Sequence, residues 1–238
     1  MDMFIHEKGI RMKKAFTLAE VLITLGIIGI VAALTIPTLM QKTQEHETIS
    51  KLKKVYATLT NAYELAVNEN GSMDGWNITT DSAGLTNLVT PLLPHLQVAK
   101  NCGTGTGCFP NVIYKRQDNG NQYNWETVTD RYKIQLSDGT LVMFNTAYVD
   151  PSIKYAQIYV DLNGFKKPNK LGEDFFYFYI YKNPEKILPA GVPSVEGNDA
   201  MNNCYNSGWN CAAWVLQYEN MDYLHCSGLT WGGKTKCD

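Results

Sequence analysis

The sequence predicts an α+β fold: a long N-terminal helix packed on a four-stranded antiparallel sheet, with a C-terminal region tied by disulfides. Three observations predict it. An uncharged apolar run from Val21 to Met40 passes into a polar stretch that keeps a single apolar stripe as far as Asn70. Between residues 132 and 181 the apolar period switches from helical to two. Six cysteines, four of them after residue 200, remain to hold the stretches that show no period.

The apolar run comes first. About 20 such residues are enough to cross a bilayer as a helix. Glu20 stands at its mouth, and an ionisable group there is costly enough to be a functional candidate by default. Lys8, Arg11, Lys13 and Lys14 all precede the run. Basic flanks stay cytoplasmic, so the rest of the chain is expected outside the inner membrane after a single pass. From Gln41 to Asn70 the residues Ile49, Leu52, Val55, Tyr56, Leu59, Ala62, Tyr63 and Ala66 recur at three and four, with Lys51, Lys53, Lys54, Asn61 and Glu64 around them. Run and stripe together predict about 53 helical residues, or roughly 80 Å. Pro37 should kink that helix, since it removes a donor and crowds the preceding turn, and Asn70-Gly71 should end it.

A short helix follows, capped by Thr80, Asp81 or Ser82, with Leu85, Leu88, Val89, Leu92 and Leu93 on its apolar face. The glycine-rich segment from Cys102 to Cys108 has no lysine and no preceding strand, so it reads as a small disulfide loop rather than a phosphate loop. Tyr132, Ile134 and Leu136 alternate with Lys133 and Gln135. Ser137-Asp138-Gly139-Thr140 makes the turn to a return strand over Leu141 to Thr146. Ala156, Ile158 and Val160 mark a third strand; Phe176, Phe178 and Ile180 mark a fourth, alternating with Tyr177, Tyr179 and Tyr181. One face should bury its Phe and Ile residues on the helix stripe, leaving the tyrosines to water or to a partner. Near the C-terminus a short helix starts at Cys211, and Cys204, Cys211, Cys226 and Cys237 can pair in three ways.

With 238 residues the chain holds one membrane helix and one ordinary domain. Its net charge of −2 and charged fraction of 18% argue against a protein dominated by nucleic-acid phosphate contacts; Lys166, Lys167, Lys170, Lys234 and Lys236 are the basic clusters present. An even cysteine count in an exported domain favours disulfides over metal ligands. No catalytic constellation stands out. His46 lies on the exposed part of the long helix, and His95 and His225 are isolated, without metal spacing. The five tryptophans are scattered as core residues are. Asp161, Asn163, Gly164 and Asp174 bound a loop whose opening Asp-x-Asn-Gly is similar to the first half of a calcium loop, although its spacing is not that of an EF-hand.

The stretch Lys13-Lys14-Ala15-Phe16-Thr17-Leu18-Ala19-Glu20-Val21-Leu22-Ile23-Thr24-Leu25 resembles the processing and assembly signal of type IV pilins and of type II secretion pseudopilins. Met12 opens this signal and offers an alternative start to Met1. The resemblance covers about the first quarter of the chain. It implies cleavage by a prepilin peptidase between Ala15 and Phe16, with Ala15 where the family usually has Gly, and methylation of the new N-terminus. It implies that Glu20 is the assembly glutamate, pairing with the Phe16 amine of a neighbouring subunit, and that Pro37 is the helix-kinking proline. The implied organisation is a leader over 1–15, a transmembrane and assembly helix over 16–40, an amphipathic continuation over 41–70 and an extracytoplasmic pilin-like domain over 71–238. The implied partners are homologous subunits, the peptidase, the inner-membrane assembly platform and the membrane itself. No enzyme activity is implied. The one cofactor suggested is Ca²⁺ at Asp161, Asn163 and Asp174, since some pseudopilins carry calcium in a loop late in the sheet. Two roles follow: a structural subunit of a pilus or secretion pseudopilus, or a minor pilin or anchored binding protein that contacts DNA or a secreted substrate.

Overall fold

A computed structural model describes residues 16–147, 152–196 and 200–237. The expected leader over residues 1–15, including Ala15 and the four basic residues before the apolar run, lies outside them. The chain divides into two compact units, residues 1–44 and residues 45–238.

Helix α1 runs from Leu18 to Asn70, with Pro37 inside it. In the first unit the apolar side chains of α1 are almost all exposed, Leu34 at 73% and Leu39 at 68%. It is the one helix among the described residues long and apolar enough to cross a membrane. In the second unit the same helix buries Ile49, Leu52, Val55, Leu59, Ala62, Tyr63 and Ala66. Helix α2 (Ser82–Val89) follows; Asp81 caps it, its Oδ1 accepting the Gly84 N–H at 2.9 Å.

Among the described residues the sheet has six strands rather than four. They are β1 (Val98–Gly103), β2 (Tyr132–Leu136), β3 (Leu141–Asn145), β4 (Lys154–Asp161), β5 (Phe175–Lys182) and β6 (Glu185–Pro189), paired in chain order and all antiparallel. The two additions are the edges. β1 includes Cys102, so a strand does precede the glycine-rich loop. β1 shows no period of two because Ala99, Lys100 and Asn101 are consecutively exposed, and β6 is a short edge strand; Pro189 is tolerated there as it would not be in a central strand. After the sheet come α3 (Pro193–Glu196), α4 (Ala200–Ser207) and α5 (Cys211–Tyr218).

One face of the sheet meets α1 as expected. Ile134, Val142, Phe144, Ile158, Val160, Phe176, Phe178 and Ile180 join Leu52, Val55 and Leu59 in one core, and Tyr56 stacks on Phe178 with ring centroids 5.5 Å apart. The opposite face corrects the sequence reading. Tyr159, Tyr177 and Tyr181 are buried. Residues 108–128, which show no regular period, lie over that face and form a second core: Phe109, Tyr114 and Trp125 pack with Leu141, Met143, Tyr159, Phe175 and Tyr177. Lys133, which alternates with Ile134 and so lies on this opposite face, is wholly buried between these layers. Its ammonium donates to the carbonyls of Trp125 (3.2 Å), Glu126 (2.9 Å) and Val128 (2.7 Å), and burial depresses its pKa.

Candidate functional site

The residues singled out by sequence fall at two separate places. The first is the start of α1. The Thr17 N–H donates to Glu20 Oε2 at 2.8 Å, the Thr17 hydroxyl donates to the same oxygen at 2.9 Å, and the Glu20 N–H donates back to the Thr17 hydroxyl at 3.2 Å. This is a reciprocal capping box, in which side chain and backbone of the two residues satisfy each other's free groups at a helix start. Glu20 is therefore not a stranded carboxylate. It is held turned back onto Thr17, the residue after Phe16; Phe16 itself is 86% exposed. Thr17 is the capping residue that sequence reasoning did not single out, although the Thr-x-x-Glu spacing was there to find it.

The second place is the loop between β4 and β5. The antiparallel return brings Asp161 and Asp174 together, both buried. Asp161 Oδ1 accepts the N–H groups of Asn163 (3.2 Å) and Gly164 (2.8 Å), and Oδ2 accepts the Tyr114 hydroxyl. Asp174 accepts the N–H groups of Lys170 (2.7 Å) and Asn169 (2.8 Å) and the side-chain amide of Asn163 (2.9 Å). Burial, then the charge of Asp174, raises the pKa of Asp161; burial raises that of Asp174. The carboxamide oxygens of Asn163 and Asn169 are buried without a partner. The two carboxylates, the two orphaned carboxamide oxygens and the Lys167 carbonyl, which accepts from Asn163 at 3.0 Å, are oxygen donors of the type Ca²⁺ takes, although every carboxylate oxygen here already accepts an N–H or O–H. Seating an ion would require the Asn163 amide to turn its oxygen inward. No group of three or more His, Cys, Asp or Glu side chains converges among the described residues.

The remaining candidates are structural. Cys102 is bonded to Cys108, Cys204 to Cys211 and Cys226 to Cys237. The middle bond joins α4 to α5, whose Ala213 N–H donates to the Ala190 carbonyl just past β6. His95 and His225 are not isolated: each faces a glutamate of α1, Glu69 at 3.1 Å and Glu45 at 2.7 Å. Trp125 and Trp214 are fully buried, and Trp209 stacks on Tyr177, so no tryptophan-lined ligand site forms among them.

Residues 10–36 match the family described as the prokaryotic N-terminal methylation motif, the signature of type IV pilins and pseudopilins. The match ends inside α1, one residue before Pro37, and does not extend to the sheet. No curated protein and no solved structure matches the chain.

Proposed function

We propose, from the methylation motif that the chain carries, that it is a structural subunit of a type IV pilus or of a type II secretion pseudopilus. Proteins with this signature are structural rather than enzymatic. The observation that carries the proposal is the match over residues 10–36, which runs into a helix whose large apolar side chains from Leu18 to Met40 are exposed. In this reading a prepilin peptidase cuts between Ala15 and Phe16 on the cytoplasmic side, and residues 21–40 hold the subunit in the inner membrane with residues 45–238 outside. The assembly platform then withdraws it into a filament of homologous subunits.

Glu20 does the chemical work. In the free subunit its carboxylate accepts two donors from Thr17, an amide and a hydroxyl, both uncharged. Cleavage creates an ammonium group on Phe16. The bonds from Thr17 are already charge-assisted by the carboxylate; pairing Glu20 with the Phe16 ammonium of the next subunit adds the attraction of two opposite charges, which a low-dielectric membrane boundary screens weakly. The contact is head-to-tail, and contacts of that kind propagate into open helical filaments. N-terminal sequencing of the mature protein should begin at Phe16. Glu20→Ala should be processed normally yet fail to enter filaments; filaments at wild-type yield from that variant, or an intact leader on the mature wild type, would overturn the assignment.

The loop between β4 and β5 fits the same reading as a calcium site. Asp161, Asp174, Asn163 and Asn169 would hold the ion, which would supply the positive charge that this buried pair of carboxylates lacks and tie β4 to β5 beside the loop.

A further inference from the structure

The same loop has a tip that neither assembly nor ion binding uses. Phe165, Lys166, Lys167 and Pro168 are all exposed, Phe165 at 56%. The backbone beneath them is held at both ends: the Gly164 N–H donates to Asp161, and Asn163 donates to the Lys167 carbonyl. A phenyl ring is thus presented to solvent on a fixed support between buried stems. Residues 162–173 carry three lysines and one glutamate. Lys170 pairs with that glutamate, Glu173, at 2.8 Å, while Lys166 and Lys167 make no ion pair among the described residues.

The tip also has a definite place in the second unit. Gly164 sits at φ +68, and a side chain there would meet the Gly139 carbonyl at 2.8 Å, so the loop lies against the β2–β3 turn. Asp138 of that turn pairs with Lys54 of α1 at 2.7 Å. Glu47 is held below the usual carboxylate range by Lys51 first and also by the charge of Lys166. The other end of the sheet is marked by Ile153, whose carbonyl accepts the Lys182 N–H, and by Glu185, which holds Ser72 and Met73 just beyond the end of α1. The tip therefore belongs to the end of the domain beside residues 47–54. Residues 47–54 are also the part of the second unit closest in sequence to the apolar run.

We propose that Phe165, Lys166 and Lys167 form a lipid-contacting tip, the ring entering the interface and the two ammonium groups binding the phosphates of anionic phospholipid headgroups. This rests on the reading of the chain as a membrane-anchored subunit. Aromatic rings favour the headgroup level of a bilayer, and basic residues beside an anionic surface each strengthen binding about fivefold. Nucleic acid suits the tip less well. Proteins that hold DNA by its backbone neutralise several phosphates at once, roughly six to ten, whereas two free lysines and one ring offer no such track. Contact at this loop would hold the domain on the membrane surface until the subunit is withdrawn.

The full chain, reconstituted in nanodiscs of phosphatidylcholine with or without phosphatidylglycerol, gives the test. A photoreactive benzoylphenylalanine replaces either Phe165 or, as control, the exposed Ile153 at the far end of β4. Co-elution with the discs reads the anchor independently of the tip. The expected result is lipid adducts at position 165 and not at 153, increased severalfold by phosphatidylglycerol. The adducts should fall about fivefold for each of Lys166→Ala and Lys167→Ala and fall again at high salt. Equal adducts at the two positions, none at 165 in chains that have entered the discs, adducts to a second copy of the chain, or loss of the adduct on adding duplex DNA would each overturn the tip. Chains that never enter the discs would overturn the anchored-subunit reading and the tip with it.

Discussion

Thr17 and Glu20 show how much two residues decide at a helix start. The first amides of α1 have no intrahelical acceptor, and the capping box supplies one while holding the carboxylate in place. Removing an N-cap hydroxyl costs about 1 kcal/mol. Thr17→Ala should therefore speed amide hydrogen exchange at Glu20 of the full chain in micelles by about fivefold, and Thr17→Ser should restore protection; equal exchange in all three would show that the cap is not formed. This pair was legible, because capping is local and has a spacing. Lys133 was not. Its alternation with Ile134 places it correctly on the opposite face of β2, but alternation says nothing about what covers that face. Three carbonyls from 125–128 satisfy its ammonium, and no short-range pattern in the sequence announces a contact between those residues and a lysine.

At the scale of elements, the central strands were legible because both their faces carry ordered side chains at period two. The edge strands were not. Ala99, Lys100 and Asn101 of β1 are consecutively exposed, so no alternation exists to be read, and two register shifts interrupt its pairing. The covering layer over residues 108–128 was illegible for a related reason: it buries Phe109, Tyr114 and Trp125 without regular structure and hence without a period. The β4–β5 loop lies between these cases. Its glycines and Asx residues announced a turn, but burial of its acids could not be read from spacing. That burial has a consequence with a definite sign. Asp161 and Asp174 have pKa values raised by folding, so they bind protons more tightly in the folded state. Their contribution to stability is fully present below the unfolded carboxylate value, near pH 4, and is lost as pH rises through the folded values. In chelator, the melting midpoint of the wild type should fall relative to that of Asp161→Asn as pH rises from about 4 toward neutrality. Calcium at neutral pH should restore the wild-type midpoint and leave the variant unmoved. Midpoints that run parallel at every pH would show that the pair carries no such strain, and a wild type indifferent to calcium would remove the ion site.

For the molecule as a whole, the division between residues 44 and 45 separates two kinds of stability. The apolar run could be recognised from composition alone, since a membrane helix needs only length and hydrophobicity; it gives nothing to either core, which draw on Ile49 and residues beyond it. The second unit relies on those two cores and on three disulfides spanning separations of 6, 7 and 11 residues. A fragment beginning at Glu45 keeps the Glu45 to His225 contact, both cores and every disulfide. It should fold without detergent and melt within a few degrees of the full chain. Loop closure over such separations is worth about 2–3 kcal/mol per bond, so the three together approach the 5–15 kcal/mol typical of a whole domain. Full reduction of the fragment should therefore lower its urea midpoint severely or abolish the folded state, and reoxidation should restore it. A reduced fragment with an unchanged midpoint would show that the two cores suffice and that the disulfides add little to the stability of the fold.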